Sequence, residues 1–128
     1  MSKVLPELKY SKEHEWVKVV GDTVTVGISD HAQGQLGDIV FVELPKPGAA
    51  VERMKTMGVI ESVKAASDVF SPVSGLVASV NSDLVKAPET INKDCYGAGW
   101  MVKITMSHPE ELQQLLDDKA YTVLIGKD

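Results

Sequence analysis

The sequence predicts a mainly β protein in one domain, a small sandwich or barrel with a short helix near 29–36 and a C-terminal helix near 108–118. Three observations predict it. Short β-rich runs recur at close intervals, bounded by Gly, Pro, Asp or Ser. Two stretches, at Ser29-Asp30 and at Ser107 to Glu110, open on a helix cap. No linker, charge run or low-complexity tract divides the 128 residues, and 44% hydrophobic content supplies one ordinary core.

Each element has a local cause. Trp16 to Val20 and Thr23 to Ile28 are strand-forming runs joined by Gly21-Asp22, the signal of a two-residue hairpin turn. Ser29 and Asp30 carry side-chain oxygens that cap the free amides of a helix start; the helix runs through Gln35 and Leu36, and Gly37 suits a left-handed exit. Asp38 to Leu44 alternates and stops at Pro45-Lys46-Pro47-Gly48, where two prolines cannot donate to a ladder. Strands resume over Val59 to Val63 and Val69 to Val80, with Ser71-Pro72 and Ser74-Gly75 as bends or edges. Gly97-Ala98-Gly99 leads into a strand over Trp100 to Thr105. Ser107-His108-Pro109-Glu110 has the spacing of a capping box, with Leu112, Leu115 and Leu116 at helical intervals behind it.

Composition excludes several classes of function. A net charge of -5 argues against a nucleic-acid or anionic-membrane surface, because phosphate binding needs clustered Lys and Arg. Cys95 is the only cysteine, so the chain forms no internal disulfide and builds no Cys-based zinc site alone. Residues 1–10 have neither the apolar core of a secretory signal nor the character of a transit peptide, and no apolar run approaches the roughly 20 residues of a membrane span. The expectation is a soluble cytoplasmic protein in a reducing compartment.

The polar residues offer no self-sufficient active site. Ser29-Asp30-His31 has the residue types of a hydrolase triad, but a triad needs converging side chains and three consecutive ones diverge; capping is the better reading. Glu13-His14-Glu15 suggests acid–base or metal chemistry, yet His31 and His108 are the only other histidines, and a solvated strand entry is preferred. Gly97-Ala98-Gly99 lacks the pattern of a phosphate loop and reads as a turn. No catalytic and no metal-binding residues are expected.

Lys64 remains. Most lysines are solvated surface groups, and being a lysine distinguishes nothing. Its setting does: in Glu61-Ser62-Val63-Lys64-Ala65-Ala66-Ser67-Asp68 it stands at the turn between two strands with small residues beside it. Alternation puts Ser62 and Lys64 on one face and Val59, Glu61 and Val63 on the other. Such a tip lets a modifying enzyme close over an amine, at little cost to folding.

Several stretches together carry a resemblance. KEHEW at 12–16, VGISDHAQ at 26–33, GDIVFVELP at 37–45, ESVKAASD at 61–68, SPVSG at 71–75 and YGAGW at 96–100 resemble the H-protein family of the glycine cleavage system. The match runs in order from about Leu8 to about Tyr121. It implies a lipoyl-type β barrel-sandwich hybrid (hammerhead) over 1–128, with its core over about 8–121, and lipoic acid amide-linked to Lys64, surrounded by Glu61, Ser62, Val63, Ala65 and Ala66. The implied role is a non-catalytic carrier. It takes an aminomethyl group from glycine decarboxylase (P protein), a pyridoxal-phosphate enzyme, to the tetrahydrofolate-dependent aminomethyltransferase (T protein), and is reoxidised by dihydrolipoamide dehydrogenase (L protein). Lipoate-attaching enzymes are further implied partners, and a monomer is expected. The loaded arm folds back against the body in this family, which by resemblance makes Glu15 and Asp68 its cleft wall.

Rival carriers fit less well. A biotin lysine usually lies between methionines, whereas Val63 and Ala65 flank this one; a 2-oxoacid dehydrogenase lipoyl domain usually shows Asp-Lys-Ala and a linker. An H-like lipoate relay or regulatory carrier outside glycine cleavage would keep the same motif. Three positions depart from the family pattern. Glu52-Arg53-Met54-Lys55 lacks the usual glycine near Met54, which predicts a changed turn or a strained residue; Ala49 replaces a common acid, and Cys95 a proline.

Overall fold

The computed structural model describes residues 2–126. Among them nine strands form two antiparallel sheets. The strands are β1 (Lys9–Tyr10), β2 (Glu15–Val20), β3 (Thr23–Ile28), β4 (Ile39–Glu43), β5 (Ala50–Val51), β6 (Thr56–Ser62), β7 (Ala66–Phe70), β8 (Gly75–Val80) and β9 (Val102–Met106). The larger sheet has the order β1-β2-β3-β9-β8-β5 and the smaller β4-β6-β7. The helices are α1 (Asp30–Leu36), α2 (Asp83–Lys86), α3 (Thr90–Lys93) and α4 (Asp118–Ile125), with a 3-10 helix over Pro109–Gln114.

The β2–β3 hairpin forms on its expected turn. Gly21 takes a φ of 64° and Asp22 stays at negative φ, the pattern of a type II′ turn, which matches the twist of the strands it joins. Period-two alternation then fixes what faces inward: in β9 Val102, Ile104 and Met106 are buried while Lys103 and Thr105 are exposed. Val24, Val26, Ile60, Val69, Val77 and Ile104 join residues of both sheets in one core. A smaller cluster of Leu8, Tyr10, Trp16 and Tyr121 lies under α4.

α1 forms as its cap predicts: the Ser29 hydroxyl accepts from the Ala32 amide, and Gly37 ends the helix at a φ of 77°. The C-terminal helix lies elsewhere than 108–118. Residues 109–114 make only a 3-10 helix, and the α-helix begins at Asp118, capped by Asp117, whose carboxylate accepts from the Ala120 amide. The expected capping box does not close. Ser107 donates its amide to the Ser74 carbonyl and the neighbouring Glu111 carboxylate accepts from the Ser74 amide and hydroxyl, while Glu110, the acid of the expected box, lies 3.7 Å from the His108 ring. The strained alternative at the departing turn is realised, with Met54 at a φ of 67°.

Candidate functional site: a hairpin lysine beside a polar cleft

Lys64 stands between β6 and β7, which pair through Ile60 and Ser67 and through Glu61 and Ala66. Val63, Lys64 and Ala65 make the turn, and Ser62 organises it. The Ser62 amide donates to the Ala65 carbonyl at 2.8 Å, and the Ser62 hydroxyl oxygen accepts from the amides of Lys64 and Ala65 at 3.2 and 3.1 Å. A serine bonding to backbone two and three residues on fixes a tip without help from a core. The Val63 amide donates to the Asp38 carbonyl at 3.0 Å, fastening the tip to the approach to β4. Glu61, Val63, Lys64, Ala65 and Ala66 are exposed and Ser62 is half-buried.

The alternation expected to carry Lys64 onto a strand face stops at Ser62, because the chain leaves the ladder there. Lys64 instead lays its stem across the exit of α1. A methyl group at Gly37 would fall 2.9 Å from Lys64 Cε and 3.7 Å from Nζ. The Asn92 side chain holds that exit, donating to the Gly37 carbonyl at 2.8 Å and accepting from the Ile39 amide at 2.9 Å.

Next to the tip is a cleft of about 250 Å³. One wall is the entry to β2 together with α1, contributing Glu13, His14, Glu15 and His31; the other is β6–β7, contributing Ser67 and Asp68. Glu15 is buried. The Ser11 hydroxyl donates to Oε1, and the Phe70 amide donates to Oε2 at 3.2 Å. Burial pushes the Glu15 carboxyl up to about 8, against the downward pull of those two hydrogen bonds, and the charge of Glu13 adds to the rise. The solvated strand entry read from Glu13-His14-Glu15 is therefore wrong for Glu15 and for half-buried His14. Both are covered by elements distant in sequence. Asp68 lies across the cleft, exposed on β7.

His14 takes a φ of 77°, a strained conformation for a residue with a Cβ. Its amide donates to the Ser11 carbonyl at 3.2 Å, and its carbonyl accepts from the Ser29 amide at 2.9 Å. The His14 and His31 rings lie 5.0 Å apart between centroids. Ser29, Asp30 and His31 diverge: Ser29 caps α1, Asp30 accepts from the Lys3 amide and the Gln33 side chain, and His31 faces the cleft. The structure thus brings Glu15 and Asp68 to one cleft beside Lys64. It also places there Ser11, behind Glu15, and His31, Gln35 and Ser67, on the walls, none of which the sequence assigned to the arm. The capping serine was the one signal available, since a helix beginning at Asp30 puts His31 in its first turn.

Among the described residues no group of three or more His, Cys, Asp or Glu is assembled for a metal, and no helix is long and apolar enough to cross a membrane. Cys95 is buried, and burial pushes its thiol up to about 12.

The sequence model described as Glycine cleavage H-protein matches residues 8–128. The chain belongs to that family. The glycine cleavage system H protein of Stenotrophomonas maltophilia (strain R551-3) is 57% identical over 122 residues, covering 94% of this chain and 93% of the relative. The glycine cleavage system H protein of Carboxydothermus hydrogenoformans is 48% identical over 128 residues, covering 100% of this chain and 98% of the relative. The crystal structure of a glycine cleavage system H protein from Mycobacterium marinum superposes with a TM-score of 0.89 at 36% identity, covering 96% of this chain and 99% of that one. As a member of the H-protein family the chain has the barrel-sandwich fold that its motifs imply, with two sheets around a shared core.

Proposed function

We propose that this chain is the lipoyl-bearing shuttle of the glycine cleavage system, a single carrier domain over 1–128 with lipoic acid amide-linked to Lys64. The observation that carries the reading is the pairing, within this family, of an exposed lysine whose backbone Ser62 fixes with a cleft that presents Glu15 and Asp68 beside it. The site fits the group. Lys64 is exposed, Ala65 and Ala66 leave room for an enzyme to close over it, and its stem lies across Gly37 on the side of the molecule where Gln35 and Leu36 line the cleft.

When bound, lipoic acid supplies a strained dithiolane whose sulfur accepts an aminomethyl group and whose thiols are reoxidised afterwards. The chain's own residues do the rest. Lys64 with its acyl extension gives a reach on the order of 14 Å, and tethering raises the effective concentration seen by each partner in turn. Glu15 and Asp68 accept hydrogen bonds from a cationic amine brought into the cleft, and the cleft walls exclude water from it. The partners are the P, T and L proteins and the lipoate-attaching enzymes, the compartment is the cytoplasm, and the chain acts as a monomer that catalyses none of the steps itself.

Intact mass after expression with lipoate tests this. One added lipoyl group is expected on the parent and none on Lys64→Arg, because arginine keeps the charge but not the acylable amine. An adduct persisting on the variant would refute Lys64 as the attachment site.

A further inference from the structure

Tyr121 is fully buried on α4, outside the cleft, and its hydroxyl reaches both parts of one cleft wall. It lies 2.8 Å from His14 Nδ1 and 2.6 Å from the Ser29 hydroxyl. A phenol has one proton to give and lone pairs to receive, so one hydroxyl can serve both neighbours at once. Its ring stacks on Tyr10 with centroids 4.3 Å apart and planes 4° from parallel, and Tyr10 exchanges backbone hydrogen bonds with Leu116 at 2.8 and 2.7 Å. The hydroxyl is therefore aimed by a rigid base.

The two groups it reaches are those that need holding. His14 has a strained backbone, and such a conformation persists only where its surroundings over-determine it. Ser29 caps α1 and donates its amide to the His14 carbonyl, so the β2 entry and the helix start are already joined once. The Tyr121 hydroxyl joins them a second time, through side chains. His14 belongs to the β2 entry, His31 and Gln35 to α1, and all three line the cleft.

We infer that Tyr121 is a positioning residue: its hydroxyl holds the His14 ring and the N-terminus of α1 in one arrangement, and so sets the shelter the cleft gives to a loaded arm. The second half of this statement rests on the proposed reading of the cleft. Ser29 shares the task, and α4 becomes part of the functional apparatus although none of its residues lines the cleft.

The test compares the full-length parent with Tyr121→Phe, which keeps the stack on Tyr10 and removes both hydroxyl contacts. In the unmodified chain, the His14 ring proton signals should shift, and hydrogen exchange of the Ser29 and Ala32 amides should quicken about tenfold, a change equivalent to about 1.4 kcal/mol. The amides of Val24 and Ile104 in the core should exchange as before. Unchanged His14 signals and unchanged Ser29 and Ala32 exchange would overturn the inference without reference to any cargo. In the loaded chain, water breaks both the carbon–sulfur and the carbon–nitrogen bond: the protonated aminomethyl thioether plus water gives the free thiol, formaldehyde and ammonium, the carbon leaving with the water's oxygen and the two protons of water going to sulfur and nitrogen. That release should be about tenfold faster in Tyr121→Phe, with Lys64 loading equal to the parent. Equal release, where the parent releases more slowly than free loaded lipoamide, would overturn the positioning role. A parent no slower than free loaded lipoamide would overturn the shelter, and the His14 and exchange data would then decide the positioning alone. If Tyr121→Phe fails to fold, Ser29→Ala, which frees the Tyr121 hydroxyl from one neighbour while leaving its contact with His14, should move the His14 signals by part of that shift, and unmoved signals would overturn the inference.

Discussion

The hairpin tip and the facing cleft wall are both polar, both within reach of Lys64, and built on opposite principles. At the tip a single hydroxyl, that of Ser62, closes the turn through neighbours two and three residues away, and nearly every side chain is exposed. The wall depends on distant partners: Glu15 on Phe70, His14 on Tyr121, and Ser29 on both His14 and Tyr121. The tip closes its turn within neighbouring residues and takes one long-range bond, from the Val63 amide to the Asp38 carbonyl, whereas the contacts of the wall form only between segments far apart in the chain. In the proposed role, the part offered to several enzymes is local and accessible, and the part that shelters the cargo is built by long-range contacts around buried Glu15.

Substitutions can break that contrast, and the largest effect is expected at the wall. Glu15→Ala leaves the Ser11 hydroxyl and Phe70 amide without their acceptor and should cost about 1–3 kcal/mol in urea denaturation. It should also quicken release of the aminomethyl group about tenfold. Asp68→Ala, on the exposed side of the cleft, should quicken release by a similar factor while leaving stability within about 0.5 kcal/mol of the parent. A stable Glu15→Ala would show that the wall is as local as the tip.

Acidity sharpens the contrast. Glu15 titrates near 8 in the fold against an ordinary value of 4.5. The native chain therefore keeps a proton that the unfolded chain has lost across that window. Because the folded state binds more protons there, this group makes stability fall as pH rises from about 4.5 to about 8, with no further loss above. Glu15→Gln should gain stability relative to the parent steadily over that range, read from denaturation midpoints at several pH values. A constant difference would mean that Glu15 titrates as an open surface acid.

The smaller effects belong to turns. Ala65→Trp should slow lipoylation in a timed mass assay while moving stability by less than about 0.5 kcal/mol, because Ala65 is exposed and the tip borrows nothing from a core. Normal loading would show that small neighbours are not required. Met54→Gly relieves a left-handed φ but loosens the unfolded chain, and should stabilise by only about 0.5 kcal/mol.

The same contrast decides what the sequence could reveal. The Gly21-Asp22 turn, the Ser29 cap and the Gly37 exit were legible because each is settled within a few residues. The position of Lys64 on a hairpin was legible for the same reason. The Ser107 capping box misled because the segment is held from Ser74, more than thirty positions earlier, through the Ser107 amide and the Glu111 carboxylate, while Glu110 lies by His108, and the real start at Asp117 was hidden inside the expected helix. Glu13-His14-Glu15 looked solvated because nothing in those three residues shows that Phe70 and Tyr121 will cover them. Motif resemblance, not local pattern, pointed to Glu15.

The Glu15 carboxyl also has a finite number of places to fill. Its two oxygens offer about four lone-pair positions. One on Oε1 is used by Ser11 and one on Oε2 by Phe70, and the second bond links the larger sheet to the smaller. Near neutrality a third is occupied by the carboxyl's own proton. In the proposed role an arriving ammonium evicts that proton and takes its place, so neither Ser11 nor Phe70 gives up its hydrogen bond and the charge of the cleft stays the same before and after. The wall then works as an ion exchanger with a capacity of one, trading a hydron for the cargo's cation, and the fold around it has no reason to loosen when the cargo comes or goes.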